Sequence, residues 1–197
     1  ATSSVSRGIC ASVTIPQALS KRQSSLCTIR LVDTDGNTVP DGEPGEMAIR
    51  GPTVFSGYWN AVETNARDFK DGWFRMGDLF RKNPDGSYDF VDRAKYMIKS
   101  GGENIYPAEI ERVLLADPRI ADAAIVRKKD PQWGEVPVAF VAARDEALSA
   151  ADIEALCRAK LAGYKRPKEV RFIAFEDFPR STTGKIQRHA MEAWLTA

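Results

Sequence analysis

The stretch DRAKYMIKSGGENIYPAEIE (residues 92–111) marks the point where the chain changes character. It runs from a basic segment through Gly101-Gly102 to Pro107, a residue at home in a first helical turn, where its missing N–H has no partner to lose. Ile110, Val113 and Leu114 then recur at helical spacing until Asp117-Pro118 stops them, which predicts an amphipathic helix. Upstream, RLVD (30–33), the turn TDGN (34–37), EMAIR (46–50), and SYDFVD (87–92) after NPDG read as strands joined by tight turns. Residues 31–92 are therefore expected to be mostly antiparallel β. Downstream, residues 123–126 and 136–142 are short apolar runs fit for buried strands. Ser149 with Asp152 forms a capping arrangement ahead of Ile153, Leu156 and Leu161, and Gly163 closes that helix. A strand over 170–175 and a last helix over 186–195 complete the reading. The expected class is α+β: an antiparallel β-rich segment over residues 1–94, then a small α+β domain over 95–197. The first thirty residues hold seven serines and no hydrophobic period, and read as loop, irregular strand or disorder.

Composition excludes several classes of function. With 28 basic and 27 acidic residues the net charge is +1, so no global field favours nucleic acid or an anionic membrane, and anion binding must be local. Cys10, Cys27 and Cys157 are odd in number and lack a CxxC pair, which argues against a disulfide framework or a zinc site and fits a reducing cytosol. Residues 9–15 are too short and polar for a signal sequence, and no run approaches the roughly 18 apolar residues of a membrane span. A soluble, cytoplasmic protein without a transmembrane segment is expected.

Three further stretches have chemistry-bearing character: GEMAIRGPTVFSGYWN (45–60), GWFRMGDL (72–79) and PRSTTGKIQR (179–188). In this order, with the opening stretch, they resemble the later signature motifs of the adenylate-forming (AMP-binding) superfamily. That superfamily holds the acyl- and aryl-CoA synthetases, luciferases and peptide-synthetase adenylation domains. The resemblance covers residue 32 onward. It implies that residues 1–94 are the end of the large AMP-binding domain, a remnant of its β-barrel subdomain, and that 95–197 are the mobile lid. The family's earlier phosphate-loop and acyl-pocket motifs have no counterpart here and the chain begins with Ala. A C-terminal portion is expected, inactive alone, with the missing N-terminal part as its partner and as the place of the Mg2+ site.

The resemblance also assigns residues. Asp78 matches the carboxylate that accepts hydrogen bonds from the two ribose hydroxyls; alone, a Gly-Asp pair reads as an ordinary solvated turn. Met76 departs from the threonine usual beside it. Arg93 matches an arginine on the same nucleotide, against the reading of a surface ion pair. Lys95 matches the hinge about which the lid rotates, or is an exposed lysine. Gly101 and Gly102 match a glycine pair lining the channel for the pantetheine arm of CoA, although a plain hairpin also favours glycine. Tyr164, Arg166 and Lys168 in YKRPK match CoA contacts, or form a solvated basic face. Trp133 could stack on adenine but reads better as packing.

Lys185 matches the catalytic lysine that stabilises carboxylate and α-phosphate during adenylation, set on a loop that Gly184 frees to approach a ligand. The stretch is no Walker loop, since Pro179 and Ile186 stand at two of its required positions. His189 reads as helix surface. The implied function is an acyl-CoA synthetase using ATP, Mg2+ and CoA on a small carboxylic acid, in a setting such as fatty acid metabolism. The acyl group itself stays open among fatty, aromatic and short-chain acids. Alternatives are an adenylation domain loading a carrier protein and a non-catalytic nucleotide- or CoA-binding module.

Overall fold

Apolar side chains along extended segments produce two separate sheets, the first antiparallel and the second antiparallel apart from one parallel pair. The computed structural model describes residues 23–195, and the chain divides into compact units over residues 1–95 and 96–197. Most of the expected irregular N-terminal stretch therefore lies outside the described residues.

The first unit contains β1 (Thr28–Val32), β2 (Pro44–Arg50), α1 (Val62–Asp68), β3 (Phe69–Lys70), β4 (Trp73–Lys82) and β5 (Tyr88–Arg93). β1 begins two residues before the first strand read from sequence. The sheet order is β1-β2-β4-β3, with β5 on β4. Leu31, Met47, Ile49, Phe74, Phe80 and Tyr88 form its core. Residues 31–92 are mostly antiparallel β as expected, with one helix the sequence reading did not place, α1, which buries no residue and has no side-chain cap. Its seven residues are too few to display a 3.6-residue period. The Asn65 amide fixes it instead, accepting from the Tyr58 N–H at 2.7 Å and donating to the Tyr58 carbonyl at 2.9 Å.

The second unit contains β6 (Ile98–Ser100), β7 (Glu103–Ile105), α2 (Pro107–Leu115), β8 (Ile120–Asp130), β9 (Gly134–Ala143), α3 (Ala150–Lys160), β10 (Glu169–Phe172) and α4 (Arg188–Ala193). β9 is the hub: it pairs antiparallel with β8 along nearly its whole length, parallel with β10, and antiparallel with β6 through Gly134 and Ser100. Alternate residues of β8 and β9 face different cores. Ala123, Ile125, Ala139 and Val141 pack with Ile110 and Leu114 of α2 and with Ile153 and Cys157 of α3. Ala124, Val126, Val138 and Phe140 pack with Phe178 and with Met191 of α4.

Pro107 opens α2 at N1 as expected. Three boundaries differ from the sequence reading. α3 ends at Lys160 with Leu161 already extended, and Gly163 begins a separate 3-10 turn, so Gly163 is not its cap. β10 stops at Phe172, and Phe175 enters another 3-10 turn. α4 starts at Arg188 because Ile186 forms a β-bridge with Arg180.

Ser149 caps α3 through a reciprocal box: its hydroxyl accepts from the Asp152 N–H, and the Asp152 carboxylate accepts from the Ser149 N–H at 3.0 Å. Ser149→Ala should cost about 0.5–2 kcal/mol in denaturant unfolding at neutral pH. The hydrogen bonds from Ser149 hold the Asp152 carboxyl below its ordinary value of 3.8. A depressed carboxyl stabilises above its unfolded pKa and loses that effect as pH falls, so the gap between wild type and variant should narrow below about pH 4.

Candidate functional site

In the first unit the two residues assigned to the nucleotide meet. Asp78 on β4 and Arg93 on β5 are cross-strand partners in register, and the Arg93 Nε lies 2.8 Å from the Asp78 Oδ1. Asp78 is buried, so it is no solvated turn residue, whereas half of the Arg93 side chain is exposed. Strand irregularity aims the carboxylate. Ala48 pairs Arg75 and Glu46 pairs Leu79, so Met76, Gly77 and Asp78 stand opposite Met47 alone. A bulge of this kind re-aims a side chain, and Gly77 supplies the φ of +74° that it needs.

Sequence reasoning missed what holds this bulge. Glu46 accepts from the Gly77 N–H at 3.0 Å and from the Arg75 Nε at 2.8 Å, while Arg75 reaches the Asp33 carbonyl at 3.3 Å. Arg75 and Glu46 are both largely buried, 29 residues apart in sequence, so only pairing of β2 with β4 joins them. Lys95 lies exposed in the 3-10 turn Ala94–Tyr96, at the end of the first unit.

In the second unit Gly101 and Gly102 form the two-residue turn of the β6–β7 hairpin, with φ of +58° and +87°. They are thus turn glycines, and the structure separates their surroundings. A Cβ on Gly101 would lie 2.7 Å from the Trp133 ring, whereas one on Gly102 would meet nothing within 4 Å. Gly101 joins Ser100, Glu103, Trp133, Gly163, Tyr164 and Lys168 around a cavity of about 260 Å³. Among the residues expected to touch CoA, the cavity therefore gathers Gly101, Tyr164 and Lys168, and omits Gly102 and Arg166. Arg166 turns the other way: its guanidinium donates to the carbonyls of Leu161 at 3.2 Å and Arg158 at 3.4 Å, at the end of α3. Lys165 pairs with Glu109 at 2.8 Å.

Lys185 is exposed on a turn that is ordered by its own backbone. The Gly184 N–H donates to the Ser181 carbonyl, the Ser181 N–H to the Lys185 carbonyl, and the Gln187 N–H to the Pro179 carbonyl, at 2.7–2.8 Å. Gly184 has φ of +78°. The loop expected to be free is a braced hairpin. Phe178 and Ile186 beside it belong to the α4-side core, whereas Ile98 and Ile105 beside the glycine turn belong to the α2–α3 core. His189 is exposed on α4. The Cys157 thiol is pushed up by burial and makes a poor nucleophile. Among the described residues no cluster of His, Cys, Asp and Glu could hold a metal ion.

Two outcomes follow from this geometry. Gly102→Ala should cost about 1–2 kcal/mol through positive φ alone, and Gly101→Ala clearly more, because its methyl also meets Trp133; thermal melts followed by tryptophan fluorescence separate them. Glu46→Ala should raise hydrogen exchange at the Gly77 amide roughly ten- to hundredfold, as expected for losing a bond to a charged acceptor of about 1.5–3 kcal/mol.

Residues 14–59 match the family model of the AMP-binding enzyme, and residues 109–185 that of the AMP-binding enzyme C-terminal domain. The chain is 44% identical over 169 residues to an indoleacetate–CoA ligase of Aromatoleum aromaticum, covering 85% of this chain and 32% of that protein. It is 43% identical over 164 residues to a feruloyl-CoA synthase of Amycolatopsis sp, covering 83% and 33%. Its fold matches the o-succinylbenzoate CoA synthetase of Bacillus subtilis in complex with its acyl-adenylate, with a TM-score of 0.77 and 34% identity over 85% of this chain and 34% of that one. It also matches an amide bond synthetase of Marinactinospora thermotolerans, with a TM-score of 0.77 and 31% identity over 88% of this chain and 35% of that one. The chain spans about a third of the length of the curated relatives it matches. By these matches the chain belongs to the adenylate-forming, AMP-binding enzymes.

Proposed function

We propose that this chain supplies the C-terminal working parts of an ATP-dependent acid–thiol ligase. In the first half-reaction a carboxylate attacks the α-phosphorus of ATP and expels pyrophosphate, giving an acyl-adenylate. In the second, the CoA thiol attacks the acyl carbonyl and AMP leaves. The observation that carries the reading is that the apolar neighbours of Lys185 (Phe178, Ile186) and of the glycine turn (Ile98, Ile105) pack into different cores of the second unit. A lid with a separate tool on each face suits two successive steps, and Lys95, exposed in a 3-10 turn at the end of the first unit, is the proposed hinge.

The residues present fit the proposed ligands. The Asp78 carboxylate lies beside Arg93, and a carboxylate is an acceptor-only group of the kind that suits two vicinal ribose hydroxyls. The cavity of Gly101, Trp133, Tyr164 and Lys168 offers two aromatic walls and a cation, which suit the nucleotide end of CoA. Lys168 has no ion-pair partner among the described residues, so its charge is available to a phosphate. This cavity favours free CoA over a carrier protein as acceptor. Mg2+ would arrive with the ATP phosphates. The two curated relatives described above are named for indoleacetate and feruloyl substrates, so of the fatty, aromatic and short-chain acids left open by the sequence an aromatic acid is proposed, and a setting in fatty acid metabolism is not. Cys27 and Cys157 are buried free thiols, in keeping with a reducing cytosol.

In the full-length protein carrying this chain, Lys185→Ala should slow acid-dependent ATP–pyrophosphate exchange roughly 100- to 1000-fold and largely spare thioester formation from a supplied acyl-adenylate and free CoA. Equal loss in both assays, or thioester formed only on a carrier protein, would count against the reading.

A further inference from the structure

We infer that Arg180 is a positioning residue for Lys185, clasping the lysine hairpin to β8. The inference rests on the role proposed for Lys185 and adds how that side chain is aimed. The hairpin has only a short ladder of its own, and the φ of +78° at Gly184 is a conformation that glycine adopts freely and does not enforce. Arg180 adds a tie from this hairpin to the sheet with one planar guanidinium. Its Nη1 donates to the Gly184 carbonyl, directly before Lys185, at 3.2 Å, and its Nη2 pairs with the Asp122 carboxylate. Phe175 packs below the same guanidinium, 4.8 Å from ring centre to Cζ.

The anchor itself is prepared by a strand irregularity. β8 pairs Ile120 with Ala143 and Asp122 with Ala142, leaving Ala121 as an extra residue immediately before Asp122. Asp122 also accepts from the Ala123 N–H at 2.8 Å, which fixes its rotamer. The far leg of the hairpin is held by a second arginine. Arg188, three residues after Lys185, donates to both oxygens of Glu111 at 2.7 Å and lies 4.5 Å from the Tyr96 ring. Glu111 is in turn fixed by the Ile125 N–H at 2.8 Å. Both legs of the turn are thus tied to the rigid sheet and to α2. A cation on a four-carbon stem stabilises a developing charge only if its root does not wander, because a displacement near 1 Å can remove up to about two orders of magnitude in rate.

The test uses the full-length protein with four variants: Arg180→Met, Asp122→Ala, Lys185→Ala, and Lys185→Ala combined with Arg180→Met. Readouts are acid-dependent pyrophosphate exchange, thioester formation from a supplied acyl-adenylate and CoA, and the melting temperature. Arg180→Met and Asp122→Ala should each lower the kcat of exchange about 10- to 100-fold, with KM for ATP and acid little changed and the second half-reaction spared. The double variant should be no slower than Lys185→Ala alone, since a clasp has nothing to aim once the lysine is gone. Parallel loss of both half-reactions, or multiplicative loss in the double variant, would overturn the clasp. If Lys185→Ala cripples exchange and Arg180→Met does not, the clasp fails while the proposed function stands. If Lys185→Ala leaves exchange intact, both fail.

Discussion

The second unit depends on one sheet having no solvent face. Along β8 and β9, Ala123, Ile125, Ala139 and Val141 enter one core, and Ala124, Val126, Val138 and Phe140 enter the other. Every residue of these runs must then be apolar, which is why the sequence shows continuous hydrophobic stretches in place of alternation. Small alanines on both faces let helices approach closely, and α2 and α4 both pack against β8. The candidate functional segments are the polar margins of this slab, the β6–β7 turn going with the α2–α3 core and the Lys185 hairpin with the α4 core.

Rigid sheet and functional margin meet through charges that are individually modest but geometrically demanding. Ion pairs open to solvent on one side, such as Arg180–Asp122 and Arg93–Asp78, matter first for where they hold atoms. Glu111–Arg188 differs: both side chains are largely buried, the pairing is bidentate, and removing either would strand a charge. Glu46 does comparable work in the first unit, where one carboxylate satisfies Arg75 and the Gly77 amide that opens the Asp78 bulge. Carboxylate–arginine contacts made across strands or helices recur wherever a candidate functional residue has to be aimed.

Local chemistry was legible from sequence where a feature completes itself within a few residues. Pro107 as the first residue of α2, the Ser149–Asp152 box and the positive φ at Gly101 and Gly102 are settled by neighbours at fixed spacing. The α+β class followed from periodicity and turn residues, and the family from four ordered motifs. The helix α1 was not legible, because a seven-residue helix that buries nothing leaves no hydrophobic period. The end of α3 and the start of α4 were misjudged by two or three residues, since a Gly163 outside the left-handed region caps nothing and Ile186 is taken by its bridge to Arg180.

The sequence by itself thus determined which residues carry charge and conformational freedom: Asp78, Arg93, Gly101, Lys168 and Lys185. Only the tertiary structure decided how they are grouped and aimed. It set Gly101, Trp133, Tyr164 and Lys168 around one cavity while turning Arg166 back onto α3. It also brought Glu46 to Gly77, Asp122 to Arg180 and Glu111 to Arg188, partners 31, 58 and 77 residues apart. The physical reason is that strand register and bulges place Glu46 against Gly77 and present Asp122 to Arg180, while the packing of two helices on the same sheet brings Glu111 to Arg188; both are set by the packing of whole elements rather than by any local spacing.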